Sequence, residues 1–173
     1  MYVFGYGSLM VDGWEHKFSG MKHAGATLRN YRRSFNKSST SNWGTRSKPC
    51  PTLGLEPKEG AECIGCVLEF ADSSKSDVMT YLRGREGKSF SFEIVEVMLA
   101  DGSEISAVTS VNDLSAKSYM GDLSVAERQA LVRDAEGKSG PCIEYVQQVR
   151  QTLKEMGVID NEVEAFVDGL KTN

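Results

Sequence analysis

Met1-Tyr2-Val3-Phe4-Gly5-Tyr6-Gly7-Ser8-Leu9-Met10 opens the chain, and the rest is organised around it. Tyr2, Val3 and Phe4 are residues that fit a pleated, half-buried surface, so residues 1–5 read as a core strand. The run breaks at once into Gly5-Tyr6-Gly7-Ser8. Two glycines around a tyrosine at a strand end mark a tight loop where backbone approaches something closely. With no Cβ in the way, successive N–H groups can turn outward together and form a pocket for a carboxylate or an oxyanion. Ser8 adds a hydroxyl. Short Gly-rich patterns are common, however, and taken alone the stretch reads first as an ordinary strand-to-loop turn.

Outward from this stretch, residues 11–24 hold both histidines, His16 and His23, without a clear period and read as an irregular connection. Residues 25–38 alternate in part through Leu28, Tyr31, Arg33 and Phe35 and read as a strand. Residues 39–51 are rich in Ser, Thr, Asn, Gly and Pro and read as a long loop, a kind of segment that is often functional or mobile. Residues 52–57 and 63–70 read as two strands with a turn at Glu59-Gly60. Asp72-Ser73-Ser74 carries a helix N-cap signal, and the helix ends near Gly84 to Gly87. Residues 91–100 and 104–111 are strands joined by Asp101-Gly102, a strong hairpin signal. Asp122-Leu123-Ser124 caps a helix through Ala135. Pro141 stands where a first helical residue would. Ile143, Val146, Val149, Leu153 and Met156 follow at helical spacing until Gly157, and a short helix covers residues 162–170. The sum is an α+β fold, a small and mostly antiparallel sheet or barrel with helices.

The chain has 173 residues, which suits one domain over residues 1–173. Hydrophobic residues make up 40% and charged residues 25%, ordinary for a globular chain with a sizeable core. A net charge of -4 argues against a nucleic-acid surface. No signal peptide is legible, and no apolar stretch is long enough to span a bilayer, so we expect no membrane partner. Cys50, Cys63, Cys66 and Cys142 form no dense framework. We read them as free thiols in a reducing, cytoplasmic setting. Oligomeric state is not legible.

Several chemistries lack their residues. There is no Gly-x-Ser-x-Gly elbow, no phosphate-binding Gly-Lys-Ser/Thr loop and no dinucleotide fingerprint. His16 and His23 are seven apart without a carboxylate at helical spacing, so structural or surface roles are expected and metal binding is not. Cys63-Ile64-Gly65-Cys66 has zinc spacing but no second pair. On a strand, residues three apart face opposite sides, so core packing is expected unless Gly65 forms a bulge. The other notable stretch is Tyr81-Leu82-Arg83-Gly84-Arg85-Glu86-Gly87-Lys88-Ser89-Phe90. Arg85 and Lys88 would hold Glu86 ionised, unless burial dominates. Taken alone, the stretch reads first as a solvated helix C-terminus whose cations meet the dipole.

The two stretches together resemble the γ-glutamylcyclotransferase superfamily, with a Tyr-Gly-Ser loop near the start and a single glutamate much later. Phe4-Gly5-Tyr6-Gly7-Ser8-Leu9-Met10, Tyr31-Arg32-Arg33-Ser34-Phe35, Tyr81-Leu82-x-x-Arg85-Glu86 and Ser139-Gly140-Pro141 with Glu144-Tyr145 are similar to blocks of its ChaC branch. The chain departs from the family at Phe90, where a tyrosine is common.

The resemblance implies a reaction. The α-amine of a γ-glutamyl group attacks its own γ-carbonyl and releases 5-oxoproline, with glutathione as the leading substrate and Cys-Gly as the other product. The nucleophile comes with the substrate, so no cofactor and no metal are expected. Glu86 would be the general acid/base. The backbone of Gly5, Tyr6, Gly7, Ser8 and Leu9 would hold the substrate carboxylate and the oxyanion, with Tyr6 shaping the pocket wall. Arg33, or less readily Arg32, can pair with a substrate carboxylate, or be a surface strand arginine. Tyr145 can bind substrate or pack through its ring. Other γ-glutamyl amines or peptides as substrates, and a non-catalytic ligand-binding domain of the same fold, are the alternatives.

Overall fold

A computed structural model describes residues 1–10, 13–86 and 90–171. Lys88 and Gly87, which the sequence places beside Glu86, lie outside the described residues. The chain divides into two compact units: Met1–Arg32 with Leu55–Val111, and Arg33–Gly54 with Asn112–Asn173.

The barrel strands are β1 (Tyr2–Gly5), β2 (Met21–Ser39), β3 (Cys50–Glu69), β4 (Phe90–Met98) and β5 (Glu104–Asn112). They close in the order β1-β3-β2-β4-β5. β1 is short because Gly5 and Gly7 end it, yet it has a neighbour on each side. It runs antiparallel to β3, with Gly5 opposite Cys66, and parallel to β5, with Val3 opposite Val108. Both edges of the strand are therefore paired, and Val3 and Phe4, which point to opposite faces, are both buried. The α+β barrel with helices expected from the sequence is the fold observed.

The helices are α1 (Lys75–Glu86), α2 (Val125–Asp134), α3 (Cys142–Glu155) and α4 (Asn161–Gly169). Ser124, within the stretch read as a helix cap, caps α2 in a full capping box with Glu127. Asp160 caps α4 by accepting from the N–H groups of Glu162 and Val163. The apolar stripe of α3 buries Val146, Val149 and Leu153. In the second unit Phe35 stacks on Phe166 of α4, centroids 4.3 Å apart.

Three boundaries differ from expectation. β3 is one strand of 20 residues, not two strands about a turn. Gly60 bends it with φ +74° while its N–H donates to Asn30 Oδ1 at 3.0 Å. A left-handed glycine inside a strand is a bulge-like bend, which composition alone does not separate from a turn. β2 begins at Met21, inside the stretch read as irregular, which also holds a 3₁₀ turn over Trp14–Phe18. Asp72 does not cap α1. Its carboxylate accepts from the amino group of Met1 at 3.0 Å, and a 3₁₀ turn at Asp72–Ser74 leads into the helix.

The thiol reading fails for two cysteines. Cys50 at the start of β3 and Cys142 at the start of α3 form a disulfide, Cα atoms 5.5 Å apart. Their 92-residue separation hides this pairing from any spacing rule. Cys63 and Cys66 remain thiols in the core. The loop after β2 is tied down rather than loose. Ser41 and Asn42 carbonyls accept from Lys138 and Ser139 N–H groups, and Trp43 N–H donates to Ser39 Oγ.

Candidate active site

Glu86 lies in the last turn of α1. Val78 and Leu82, eight and four residues earlier, are fully buried. Residues four apart share a helix face, so the same stripe that seats α1 turns Glu86 inward. Its side chain is 13% exposed. A carboxylate at a helix C-terminus meets the negative end of the dipole. The adjacent Arg85 supplies the opposite charge, its Nε lying 3.7 Å from Glu86 Oε1.

The N-terminal loop belongs to the same unit. Ser8–Met10 forms a 3₁₀ turn closed by Met10 N–H donating to the Gly7 carbonyl at 2.9 Å. Trp14 Nε1 donates to the Leu9 carbonyl at 3.3 Å and Lys22 Nζ to the Met10 carbonyl at 2.7 Å. The loop backbone is therefore anchored through its carbonyls. Tyr6 is buried, with its hydroxyl 3.4 Å from Ser110 Oγ on β5. Thr109 of the same strand donates to the Phe4 carbonyl. Gly65 lets β3 come close, since a Cβ there would stand 2.2 Å from the Gly5 carbonyl. That close approach is the role of Gly65 in Cys63-Ile64-Gly65-Cys66.

Loop and helix meet through Arg85. Its Nη2 donates to Ser8 Oγ at 2.9 Å and its Nη1 to the Tyr81 hydroxyl at 3.3 Å. Tyr81 is held in turn by Trp14, stacked at 5.2 Å, by Phe18 at 5.6 Å, and by Lys17 over its ring. The structure thus joins Glu86 to Ser8 of the glycine loop through one guanidinium. Trp14 is the residue that sequence reasoning missed. It sits in a stretch without period, and its indole touches both halves of the cluster.

The ChaC-like protein family profile matches residues 1–173. The chain belongs to that family. Gamma-glutamylcyclotransferase 2-3 of Arabidopsis thaliana is 27% identical over 171 residues, covering 94% of this chain and 84% of its own. Glutathione-specific gamma-glutamylcyclotransferase of Escherichia coli (strain K12) is 25% identical over 173 residues, covering 99% of this chain and 73% of its own. Among solved structures, a yeast γ-glutamyl cyclotransferase specific to glutathione superposes with a TM-score of 0.86 at 19% identity, covering 99% of this chain and 96% of that one. That likeness establishes the fold.

Arg33 and Tyr145, two further candidates of this ChaC-like chain, belong to the second unit. Arg33 is not a surface residue: its side chain is fully buried and its Nε lies 3.0 Å from Asp160 Oδ2. Arg32, in the first unit, pairs with Glu56. Tyr145 packs edge-on to Phe35 and against Trp43, and its hydroxyl accepts from Leu53 N–H at 3.0 Å. His23 pairs with Glu69 on β3 at 2.8 Å, and His16 is 81% exposed. Among the described residues no group of three His, Cys, Asp or Glu is placed to hold a metal, and no helix is long and apolar enough to cross a membrane.

Proposed function

We propose that this chain is a γ-glutamylcyclotransferase that converts glutathione to 5-oxoproline and Cys-Gly, with Glu86 as general acid/base. The observation that carries the reading is the inward Glu86 carboxylate joined through Arg85 to Ser8 of the glycine loop. Family membership and the glutathione-specific name of the Escherichia coli relative support it.

In the proposed reaction Glu86 takes a proton from the substrate α-ammonium. The freed amine attacks the γ-carbonyl carbon, and a five-membered ring closes. N–H groups of the Gly5–Leu9 loop hold the developing oxyanion. The γ-amide C–N bond then breaks, Glu86 returns its proton to the departing cysteinyl nitrogen, and the second proton of the ring nitrogen passes to solvent, leaving the neutral lactam N–H. Ring closure within one bound molecule lets orientation supply up to about 7–11 kcal/mol of barrier lowering. The reaction as written uses no cofactor.

We propose that residues 1–173 work as one γ-glutamylcyclotransferase-like domain, as the span of the family match suggests. A cytoplasmic location belongs to the same proposal. There the glutathione pool would press on Cys50–Cys142, and the complete burial of both residues would slow exchange. Arg33 and Tyr145 enter the proposal as second-unit residues whose contribution to substrate binding must be shared with Asp160 and Leu53.

The test is incubation of the purified protein and its Glu86→Gln variant with glutathione, following 5-oxoproline and Cys-Gly. We expect product from wild type and a loss of about 10²–10⁴-fold or more in the variant. Equal turnover would remove Glu86 from the chemistry. The Arabidopsis relative's name specifies no glutathione, so other γ-glutamyl amines and peptides form the second substrate panel. No 5-oxoproline from any of them would leave a ligand-binding domain.

A further inference from the structure

We propose that Arg85 is a positioning residue that couples the Gly5–Leu9 loop to Glu86, so that the oxyanion-binding backbone and the acid/base carboxylate are set in register by one side chain. The proposal rests on the cyclotransferase reading above and adds a part to it.

Each of the three guanidinium nitrogens meets a partner among the described residues. Nη2 reaches Ser8 Oγ at 2.9 Å, Nη1 reaches the Tyr81 hydroxyl at 3.3 Å, and Nε stands 3.7 Å from Glu86 Oε1. The fork is planar and rigid, so moving one partner moves the geometry offered to the others. Arg85 is itself held by its surroundings. Its side chain is 19% exposed, and Tyr81, one turn earlier on α1, is stacked on Trp14. Trp14 in turn donates to the Leu9 carbonyl. The circuit Ser8, Arg85, Tyr81, Trp14, Leu9 is therefore closed, and it joins the loop to the last turn of α1 at two points.

The helix gives a reason for such a device. A carboxylate in the final turn of α1 is opposed by the dipole, and one that must both take and return a proton cannot be locked in a short bidentate ion pair. A guanidinium held at 3.7 Å by two other partners supplies charge without that lock. A lysine would keep the charge but has no fork to hold Ser8 and Tyr81 together.

The experiment compares Arg85→Lys, Arg85→Met and Ser8→Ala with wild type, measuring kcat, KM and the pH profile of kcat/KM with glutathione. Amide hydrogen exchange at Met10, whose N–H closes the loop turn, is measured in parallel. Arg85→Met is expected to lower kcat about 10²-fold, the scale of a small misplacement of reacting groups. It should also move the acid limb of kcat/KM to higher pH, since a lost cation disfavours the carboxylate. Arg85→Lys should restore the acid limb but not kcat. Both variants, and Ser8→Ala, should exchange the Met10 amide faster than wild type. Ser8→Ala and Arg85→Lys should be non-additive when combined.

Unchanged exchange in a folded Arg85→Lys variant overturns the coupling, whether or not the protein is active. So do additive effects, or wild-type kcat in Arg85→Met. Absence of 5-oxoproline from wild type with every γ-glutamyl compound would instead overturn the cyclotransferase reading, with the exchange result still deciding the coupling.

Discussion

Trp14 lies flat against Tyr81, ring centroids 5.2 Å apart and planes 12° from parallel, while its indole N–H donates to the Leu9 carbonyl. One side chain therefore seats α1 and pins the glycine loop. Trp14 is 1% exposed. Trp14→Ala should cost about 3–5 kcal/mol through lost packing. Trp14→Phe keeps a ring but abandons the Leu9 carbonyl, and should cost about 1 kcal/mol for the hydrogen bond plus the smaller ring's lost packing. Urea unfolding gives both numbers. 5-oxoproline formation by Trp14→Phe, expected to fall more than its stability, reports the loop.

Arg33 and Asp160 form a buried pair at 3.0 Å, with side chains 0% and 11% exposed. Removing either partner strands a charge, so Arg33→Met or Asp160→Leu should each destabilise by about 3–5 kcal/mol. The double variant should be more stable than the sum of the single ones implies. If Arg33→Met instead leaves unfolding unchanged and raises KM for glutathione, Arg33 serves the substrate rather than α4.

Cys50 and Cys142 tie the first residue of β3 to the first turn of α3, the turn that leads to Tyr145. Closing so long a loop restricts the unfolded chain, and its loss should cost about 2–5 kcal/mol. Cys142→Ser should melt lower than oxidised wild type and be insensitive to dithiothreitol, whereas wild type should fall to the variant's midpoint on reduction. A wild-type melt indifferent to dithiothreitol would mean that the bond contributes nothing.

Glu164 accepts from Arg150 at both carboxylate oxygens: the single Nε–H is shared between them at 2.8 and 2.9 Å, and Nη2 donates to Oε2. Those bonds hold its carboxyl below the usual glutamate range, with burial opposing and the Arg150 and Lys154 charges assisting. A carboxyl whose pKa is lower folded than unfolded stabilises the fold above the unfolded value, about 4.3. That contribution is lost as pH falls through the depressed folded value. The gap in urea midpoint between wild type and Glu164→Gln should therefore be widest near neutrality and close in acid. A gap constant from neutrality down into strong acid would exclude the ion pair as its source.

Much of the architecture was legible from local pattern. The periodic stripe of α3, the cap of α2 at Asp122-Leu123-Ser124, the Asp101-Gly102 turn and the early strand all depend on neighbours in sequence. Gly5-Tyr6-Gly7-Ser8 and Arg85-Glu86 were recognisable for the same reason: a helix stripe and a strand-end loop are short-range objects. The partners of those residues were not legible. That Arg85 reaches Ser8 across 77 positions, that Cys50 finds Cys142, that Arg33 is buried on Asp160 and that Trp14 joins loop to helix are products of strand order and packing. Sequence period specifies which face of an element seeks cover. Only the closed barrel and the packed helices decide what covers it, because that choice is made by burial and hydrogen bonding between segments far apart in the chain.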